Sequence, residues 1–296
     1  MQHILSPSPD FSGLWVPLVT PFRGGALDHS ALSALAQRLA STGIAGFVVC
    51  GSTGEAAALD SDEQLAALDT VTQAAPMVPR IMGISGYHLG KTLAWTRLLG
   101  GRELTGLLVP APNYIRPSQA GLIEWFSAIA DASDVPLVLY DIPYRTGISI
   151  GRETLLELAG HPGIRAVKDC GGDMAKTRAI IADGRLQVLA GEDAQMFSTV
   201  AEGGSGAIAA SAHLQTDRFV RVLWLLRQGQ LAEAREHWHP LLPLIEALFD
   251  DANPGPLKAV LASEGWVQDE LRAPMTRASN ELRARLRNIQ AELNRQ

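Results

Sequence analysis

Short runs of apolar residues alternate with longer amphipathic stretches along most of the chain. The runs are continuously apolar, which is typical of parallel strands that are buried on both faces. Eight runs predict strands: Leu14–Phe22, Gly46–Thr53, Arg80–Ser85, Gly106–Pro112, Pro136–Pro143, Ile164–Cys170, Leu186–Glu192 and Ser205–Ser211. Stretches between them have helical spacing, among them His29–Thr42, Asp60–Ala75, Gln119–Ala132 and Met174–Ala182.

Eight strand–helix repeats are the number that closes a parallel sheet into a barrel. The alternative is an open, doubly wound sheet, but its nucleotide signature G-x-G-x-x-G is absent. We therefore predict an α/β fold, a TIM (β/α)8 barrel over residues 1–230. Residues 231–296 contain no strand pattern and predict a C-terminal three-helix extension packed on the barrel: Leu231–Phe249, Gly255–Glu264 and Thr276–Asn294. A capping box with Ser61 at the N-cap and Gln64 is expected to open the second barrel helix.

Composition narrows the class of protein further. The net charge of −6 and the lack of a basic patch argue against a nucleic-acid partner. Two cysteines in 296 residues make a disulfide scaffold implausible. No run reaches the ~20 apolar residues of a membrane span. Met1–Leu5 does not resemble a signal peptide. We expect a cytoplasmic protein with no membrane partner. The seven histidines are scattered, so no metal site is predicted.

Lys168 is the first candidate for chemistry, because it ends the apolar run that begins at Ile164. Burial disfavours an ammonium ion and lowers its pKa, and the neutral amine is the form that attacks a carbonyl to make a Schiff base. The preceding strand ends in Tyr140, a candidate proton carrier. Cys170 lies two residues beyond Lys168, so strand parity predicts that both side chains face inward.

Other strand ends add polar groups at the face where barrel enzymes place their active sites. The second strand leads into Gly51–Glu55, where the amides and hydroxyls of Ser52 and Thr53 can bind a carboxylate. Tyr114 follows the fourth strand and Arg145 the fifth. Each residue alone has an ordinary structural explanation, as a turn, a core tyrosine or a solvated charge. Their coincidence at four predicted strand ends favours a functional interpretation.

These segments resemble a known family. Gly51–Glu55, Tyr140–Gly147 and Val167-Lys168 are similar to the dihydrodipicolinate synthase / N-acetylneuraminate lyase superfamily of class I aldolases. The resemblance extends over nearly the whole chain and includes Asn113–Ser118 and Asn253–Lys258.

The resemblance implies a role for each candidate. Lys168 would form an imine with pyruvate or another 2-oxo acid, with no metal or organic cofactor. Tyr140 would shuttle protons through Ser52 to Tyr114, which would reach in from a neighbouring subunit of a homotetramer built as a dimer of dimers. Ser52 and Thr53 would hold the pyruvate carboxylate, and Ile208 would line the substrate site.

Arg145 bears on the aldehyde substrate. The Arg-Thr-Gly sequence resembles the synthase branch, where this arginine binds the carboxylate of L-aspartate 4-semialdehyde on the route through diaminopimelate to lysine. Asp141, Asn113, Cys170 and the alanines after Ile208 depart from the pattern of that branch. Two alternatives therefore stay open: an aldolase or dehydratase for a 2-keto-3-deoxy sugar acid or hydroxy-oxo acid, and a non-catalytic ligand-binding homologue.

Overall fold

Eight parallel strands form a closed barrel in the computed structural model, which describes residues 9–295. They follow one another around the barrel in chain order: β1 Gly13–Pro17, β2 Gly46–Val49, β3 Arg80–Gly83, β4 Gly106–Pro110, β5 Leu137–Asp141, β6 Ile164–Asp169, β7 Gln187–Ala190 and β8 Gly206–Ile208. The prediction of a TIM barrel is confirmed. The segment Met1–Leu5 and the outermost ends of the two proposed regions, 1–230 and 231–296, lie outside the described residues.

Helices connect the strands and cover the barrel. They are α1 His29–Ala40, α2 Ser61–Ala74, α3 Leu89–Leu98, α4 Gln119–Asp131, α5 Pro143–Thr146, α6 Arg152–Leu158, α7 Met174–Asp183, α8 Met196–Ala201 and α9 Thr216–Arg227. A small hairpin of Phe22–Arg23 and Ala26–Leu27 follows β1. The predicted strands are generally too long at their carboxyl ends, because the last residues of each apolar run already belong to the loops above the barrel.

The capping box of α2 lies one residue earlier than predicted. Asp60, not Ser61, is the N-cap, and its side chain accepts a hydrogen bond from the Glu63 amide while Glu63 bonds back to the Asp60 amide. Gln64 is not free for the reciprocal bond, because its side-chain amide donates to the carbonyls of Ala56 and Leu59.

Strand parity divides the core into two parts. Along β5, Leu137 and Leu139 pack outward against the helices, whereas Val138 and Tyr140 point into the barrel. The interior closes at its lower end with Trp15, whose indole N–H donates to the Phe11 carbonyl at 2.7 Å. The ring fits only because Gly46 has no side chain, since a Cβ atom at Gly46 would overlap it. Large buried side chains therefore fill the lower half of the barrel.

Between residues 231 and 295 the C-terminal extension contains four α-helices, so the prediction of three is wrong in one place. The stretch 231–249 is divided into α10 Leu231–Trp238 and α11 Leu242–Leu248, followed by α12 Gly255–Ser263 and α13 Asn280–Leu293. Pro240 causes the division, because it lacks an N–H and its ring clashes with the preceding turn of a continuous helix.

A buried ion pair joins this extension to the barrel. Lys258 on α12 lies 2.5 Å from a carboxylate oxygen of Glu55, in the loop after β2, and both side chains are almost fully buried. Lys258 also donates to the Glu270 carbonyl at 2.8 Å and lies 4.3 Å from the ring centre of Phe22. Burial lowers the Lys258 pKa, and Glu55 opposes this effect.

Replacing Lys258 with methionine tests the importance of this pair. Lys258→Met leaves the Glu55 carboxylate buried without a cation, so we expect the free energy of unfolding to fall by about 3–5 kcal/mol. Denaturant unfolding measures the change. The double variant Glu55→Gln/Lys258→Met serves as the control and is expected to lose less stability. Equal stability of Lys258→Met and the unmodified protein would contradict the prediction.

Candidate active site

Lys168 and Tyr140 form the centre of the site. They are paired residues on the neighbouring strands β6 and β5, and both side chains are buried inside the barrel. The Lys168 amine donates a hydrogen bond to the Tyr140 hydroxyl at 3.2 Å and lies 4.3 Å from the centre of the ring. The sequence predicted both residues at the ends of neighbouring strands, and the structure places them there.

Burial sets the protonation of this pair. Desolvation lowers the pKa of Lys168, and Arg145 acts in the same direction, whereas Cys170, Asp193 and Glu192 act against it. Desolvation raises the pKa of Tyr140 well above its ordinary value. The environment therefore favours a neutral amine beside a neutral phenol, which is the combination that a carbonyl addition and a proton transfer require.

Two acidic residues that sequence reasoning did not select lie near Lys168. Asp193 follows β7, is buried, and accepts hydrogen bonds from the amides of Ala210 and Ser211. Burial raises the pKa of Asp193. Glu192 precedes it and raises the pKa values of Lys168 and Cys170. The available signal was their position, because Glu192 ends the seventh predicted strand and Asp193 follows it directly.

Cys170 faces inward, as strand parity predicts, and packs with Tyr140 in the barrel interior. Its thiol is 5% exposed, and desolvation raises its pKa.

A cavity of about 310 Å³ opens above Tyr140. Ser52 and Arg145 line it together with Asn113, and the C-terminal extension contributes part of the wall. The full set is Cys50, Gly51, Ser52, Glu55, Ala56, Ala57, Ala58, Gly83, Ile84, Ser85, Leu108, Pro110, Asn113, Tyr140, Ile142, Arg145, Thr146, Asn253, Pro254, Pro274 and Met275. Lys168 is not part of this wall and adjoins it through Tyr140.

The loop after β2 presents Ser52 to the cavity. Cys50 has a φ of 55°, and a hydrogen bond from the Gly54 amide to the Gly51 carbonyl closes the turn. Ser52 is exposed, whereas Thr53 is buried and its hydroxyl accepts a hydrogen bond from the Asn253 side chain at 3.0 Å. Within the described part of the chain, the amides of Ser52 and Thr53 donate to no protein acceptor.

Arg145 reaches the cavity from the short helix α5. Pro143 starts this turn, and Gly147, with a φ of 79°, ends it in the left-handed conformation that favours glycine. The guanidinium group is exposed and lies 5.6 Å from the ring centre of Tyr144. Arg145 is therefore a cation at the mouth of the cavity with no carboxylate partner among residues 9–295.

Tyr114 and Ile208 are not brought into the cavity wall. Tyr114 is 88% exposed and has a φ of 72°, an unfavourable conformation for a residue with a side chain. Ile208 is fully buried and packs with Tyr140 and Leu189 inside the barrel.

Within residues 9–295, no group of three or more histidine, cysteine, aspartate or glutamate side chains can hold a metal ion. Among the helices of the same residues, none has the length and apolar character of a membrane span.

A buried lysine beside a buried tyrosine, at the end of a parallel barrel and below an open cavity, defines an enzyme of the class I aldolase type. The sequence model of the Dihydrodipicolinate synthetase family matches residues 10–293. The chain belongs to this family.

Individual relatives agree with this assignment. The 4-hydroxy-tetrahydrodipicolinate synthase of Haloarcula marismortui is 36% identical over 288 residues, which is 96% of this chain and 94% of the relative. Dihydrodipicolinate synthase from Thermotoga maritima has a TM-score of 0.93 at 28% identity, covering 96% of this chain and 99% of the other. A monomeric dihydrodipicolinate synthase variant has a TM-score of 0.94 at 28% identity, covering 98% and 99%.

The pKa of Lys168 provides a direct test of the site. Because burial lowers it, the neutral amine persists at lower pH than in an unperturbed lysine, whose value is 10.5. We expect reductive methylation of Lys168 by formaldehyde to rise with pH around a midpoint below 10.5. Peptide mapping by mass spectrometry gives the midpoint, with free N-acetyl-lysine as the reference. A midpoint at or above that of the reference would contradict the prediction.

Proposed function

We propose that this protein condenses pyruvate with L-aspartate 4-semialdehyde to 4-hydroxy-tetrahydrodipicolinate, in the diaminopimelate route to lysine. One observation carries the proposal: the Lys168 amine lies 3.2 Å from the Tyr140 hydroxyl, inside the barrel and below an open cavity. The similarity of the chain to synthases of this activity supports the choice of reaction.

Lys168 begins the reaction as a nucleophile. Its neutral amine adds to the keto carbon of pyruvate, and the adduct takes up one proton from Tyr140 and loses one water to give a protonated imine. The cationic nitrogen withdraws electrons from the neighbouring methyl group, so that loss of a proton gives an enamine. The imine itself provides the electron sink, and for this reason we propose that no metal or organic cofactor takes part.

Tyr140 acts as the proton carrier in this scheme. Its pKa is raised, so the phenol holds its proton at neutral pH and can give it to the departing hydroxyl during imine formation. The resulting phenolate takes the proton that the methyl group loses when the enamine forms. As the enamine carbon attacks the aldehyde, Tyr140 returns this proton to the aldehyde oxygen, which becomes the 4-hydroxyl group. The amino group of the second substrate attacks the imine carbon, closes the ring and releases Lys168.

Two sets of groups hold the substrate carboxylates. The unpartnered amides of Ser52 and Thr53 suit the carboxylate of pyruvate, because successive amides in a turn form an anion-binding concavity. Arg145, at the mouth of the cavity, suits the carboxylate of the semialdehyde, since a guanidinium group binds a carboxylate with two parallel hydrogen bonds. Ile208 limits the space beneath the reacting carbons.

The same proposal includes a homotetramer arranged as a dimer of dimers. Tyr114 is almost fully exposed in one chain, and the neighbouring Ile115 is 51% exposed, as expected for a segment covered by a second copy. From that position Tyr114 would complete a relay with Ser52 and Tyr140 of the neighbouring subunit. The cytoplasmic location expected from the sequence belongs to this proposal as well.

Trapping with borohydride tests the imine. We expect pyruvate and sodium borohydride together to add a reduced adduct to Lys168 and to leave Lys168→Ala unlabelled. Tyr140→Phe should slow trapping by about 10²–10⁴-fold, the usual contribution of acid–base catalysis. Peptide mapping is simple because the chain has four lysines, and Lys91→Ala is the matched control. Absence of a pyruvate-dependent adduct would favour a non-catalytic ligand-binding homologue.

A substrate panel tests the aldehyde. L-Aspartate 4-semialdehyde with pyruvate should react faster than any 2-keto-3-deoxy sugar acid or hydroxy-oxo acid is cleaved. Arg145→Ala should raise the KM for the semialdehyde by about 10- to 100-fold, the effect of losing hydrogen bonds to a charged group, and should still allow pyruvate to be trapped on Lys168. Arg145→Lys, which keeps the charge without the two-pronged geometry, should be intermediate. Faster turnover of a sugar acid would identify the alternative aldolase.

A further inference from the structure

A second buried lysine lies directly behind the catalytic pair. Tyr140 and Lys168 point into the barrel, so the next residues of the two strands point outward. These residues are Asp141 and Asp169, which are themselves paired across β5 and β6. Lys176 belongs to α7 in the helix layer, and its ammonium group reaches both carboxylates.

The contacts of Lys176 are numerous for one side chain. Its ammonium group forms an ion pair with Asp141, lies 3.8 Å from a carboxylate oxygen of Asp169 and donates to the Ser149 hydroxyl at 3.4 Å. Lys176 is 6% exposed, Asp141 is 0% exposed and Asp169 is 8% exposed. We call Asp141, Asp169 and Lys176 the outer cluster.

Donors from the surrounding loops and from α7 complete the outer cluster. Asp141 also accepts the Ile150 amide at 3.0 Å, and Asp169 accepts the Gly171 amide at 2.8 Å and the Thr177 hydroxyl at 2.6 Å. These bonds join the strand that carries Lys168 to the loop after it. They also hold the segment at Ser149–Ile150, into which the chain returns after the turn that carries Arg145.

The charge of the outer cluster explains why a cation is needed. With all three groups ionised, two carboxylates and one ammonium give a net charge of −1. Without Lys176 the charge becomes −2, and the two carboxylates face each other across adjacent strands in a buried environment. Two like charges in such a place repel strongly, because little solvent screens them.

Two further features indicate that this position requires a lysine. The chain contains 21 arginines and only four lysines, and three of those lysines are buried. The outer cluster is also closely packed, because a Cβ atom at Gly171 would overlap the Lys176 ammonium group and would crowd Asp141 at 2.7 Å and Asp169 at 3.0 Å. A guanidinium group is larger than an ammonium group and would require these neighbours to move.

We propose that Lys176 is a positioning residue that holds Tyr140 and Lys168 at reacting distance by neutralising Asp141 and Asp169 on the opposite faces of their strands. The proposal rests on the proposed function in so far as the reaction at Lys168 is imine formation. Lys176 touches neither substrate nor the reacting atoms. It acts through the register and spacing of β5 and β6.

Charge-compensated variants test this role. We expect Lys176→Met to lower the rate constant of pyruvate trapping at saturating pyruvate by about 10- to 100-fold, the cost of a misplacement on the order of 1 Å. The KM for pyruvate should change little, because the β2 loop binds the carboxylate. Lys176→Met/Asp141→Asn restores the net charge of −1 and should recover most of the rate. Lys91→Met, at an exposed lysine, is the matched control.

A third variant keeps every charge. Gly171→Ala displaces the ammonium group without removing it, and it should slow trapping in the same direction. Melting temperatures identify any variant that fails to fold. If Lys176→Met does not fold, the double variant and Gly171→Ala decide the question.

Three results would overturn the proposal. Folded Lys176→Met, or folded Gly171→Ala, could trap pyruvate as fast as the unmodified protein does. Alternatively, folded Lys176→Met/Asp141→Asn could trap pyruvate as slowly as folded Lys176→Met. If the unmodified protein forms no imine, the proposed function is wrong. The position of Lys168 is then followed by its reductive methylation, which needs no substrate, and the same three comparisons apply.

Discussion

A primary amine enclosed in the interior of a parallel barrel is the constraint on which the site depends. Burial penalises the charged form of Lys168, and the nearby Glu192 and Asp193 only partly offset that penalty. The Tyr140 hydroxyl accepts a hydrogen bond from the amine without adding charge. The barrel supplies the geometry, because paired residues on parallel strands lie side by side on the same face of the sheet. The point at which this strand ends therefore shifts Lys168 towards its uncharged, nucleophilic form.

The same two strands carry chemistry on one face and ionic support on the other. Because side chains alternate along a strand, a residue that follows an inward-pointing one must face the helices. Asp141 and Asp169 occupy those outward positions, where an apolar residue would be the simpler choice for a buried layer. Two buried carboxylates are tolerated because Lys176 and several loop donors satisfy them. The helix layer is thus tied to the ends of the catalytic strands by charge as well as by packing.

Patterns that repeat locally could be predicted from the sequence, and interactions between distant segments could not. Continuous apolar runs identified all eight strands and placed Lys168 and Tyr140 at the ends of two neighbouring ones, although their contact was not itself predicted. The division of the helix at Pro240 depends on one residue within an otherwise helical pattern. The ion pair of Lys258 with Glu55 joins residues about 200 positions apart, and no periodicity reports it. Tyr114 is a different case, because its proposed role needs a second chain.

The extension is not a separate unit added to a complete barrel. Asn253, Pro254, Pro274 and Met275 form part of the cavity wall, so the barrel alone would leave one side of the site open. Asn253 donates to the Thr53 hydroxyl and so ties the extension to the loop that presents Ser52 to the cavity. The ion pair between Glu55 and Lys258 fixes the same loop from the opposite side. Residues far apart in sequence therefore determine the shape of the pocket, while the reactive pair comes from neighbouring strands. Substrate choice can then change through the loops and the extension without disturbing Lys168 and Tyr140.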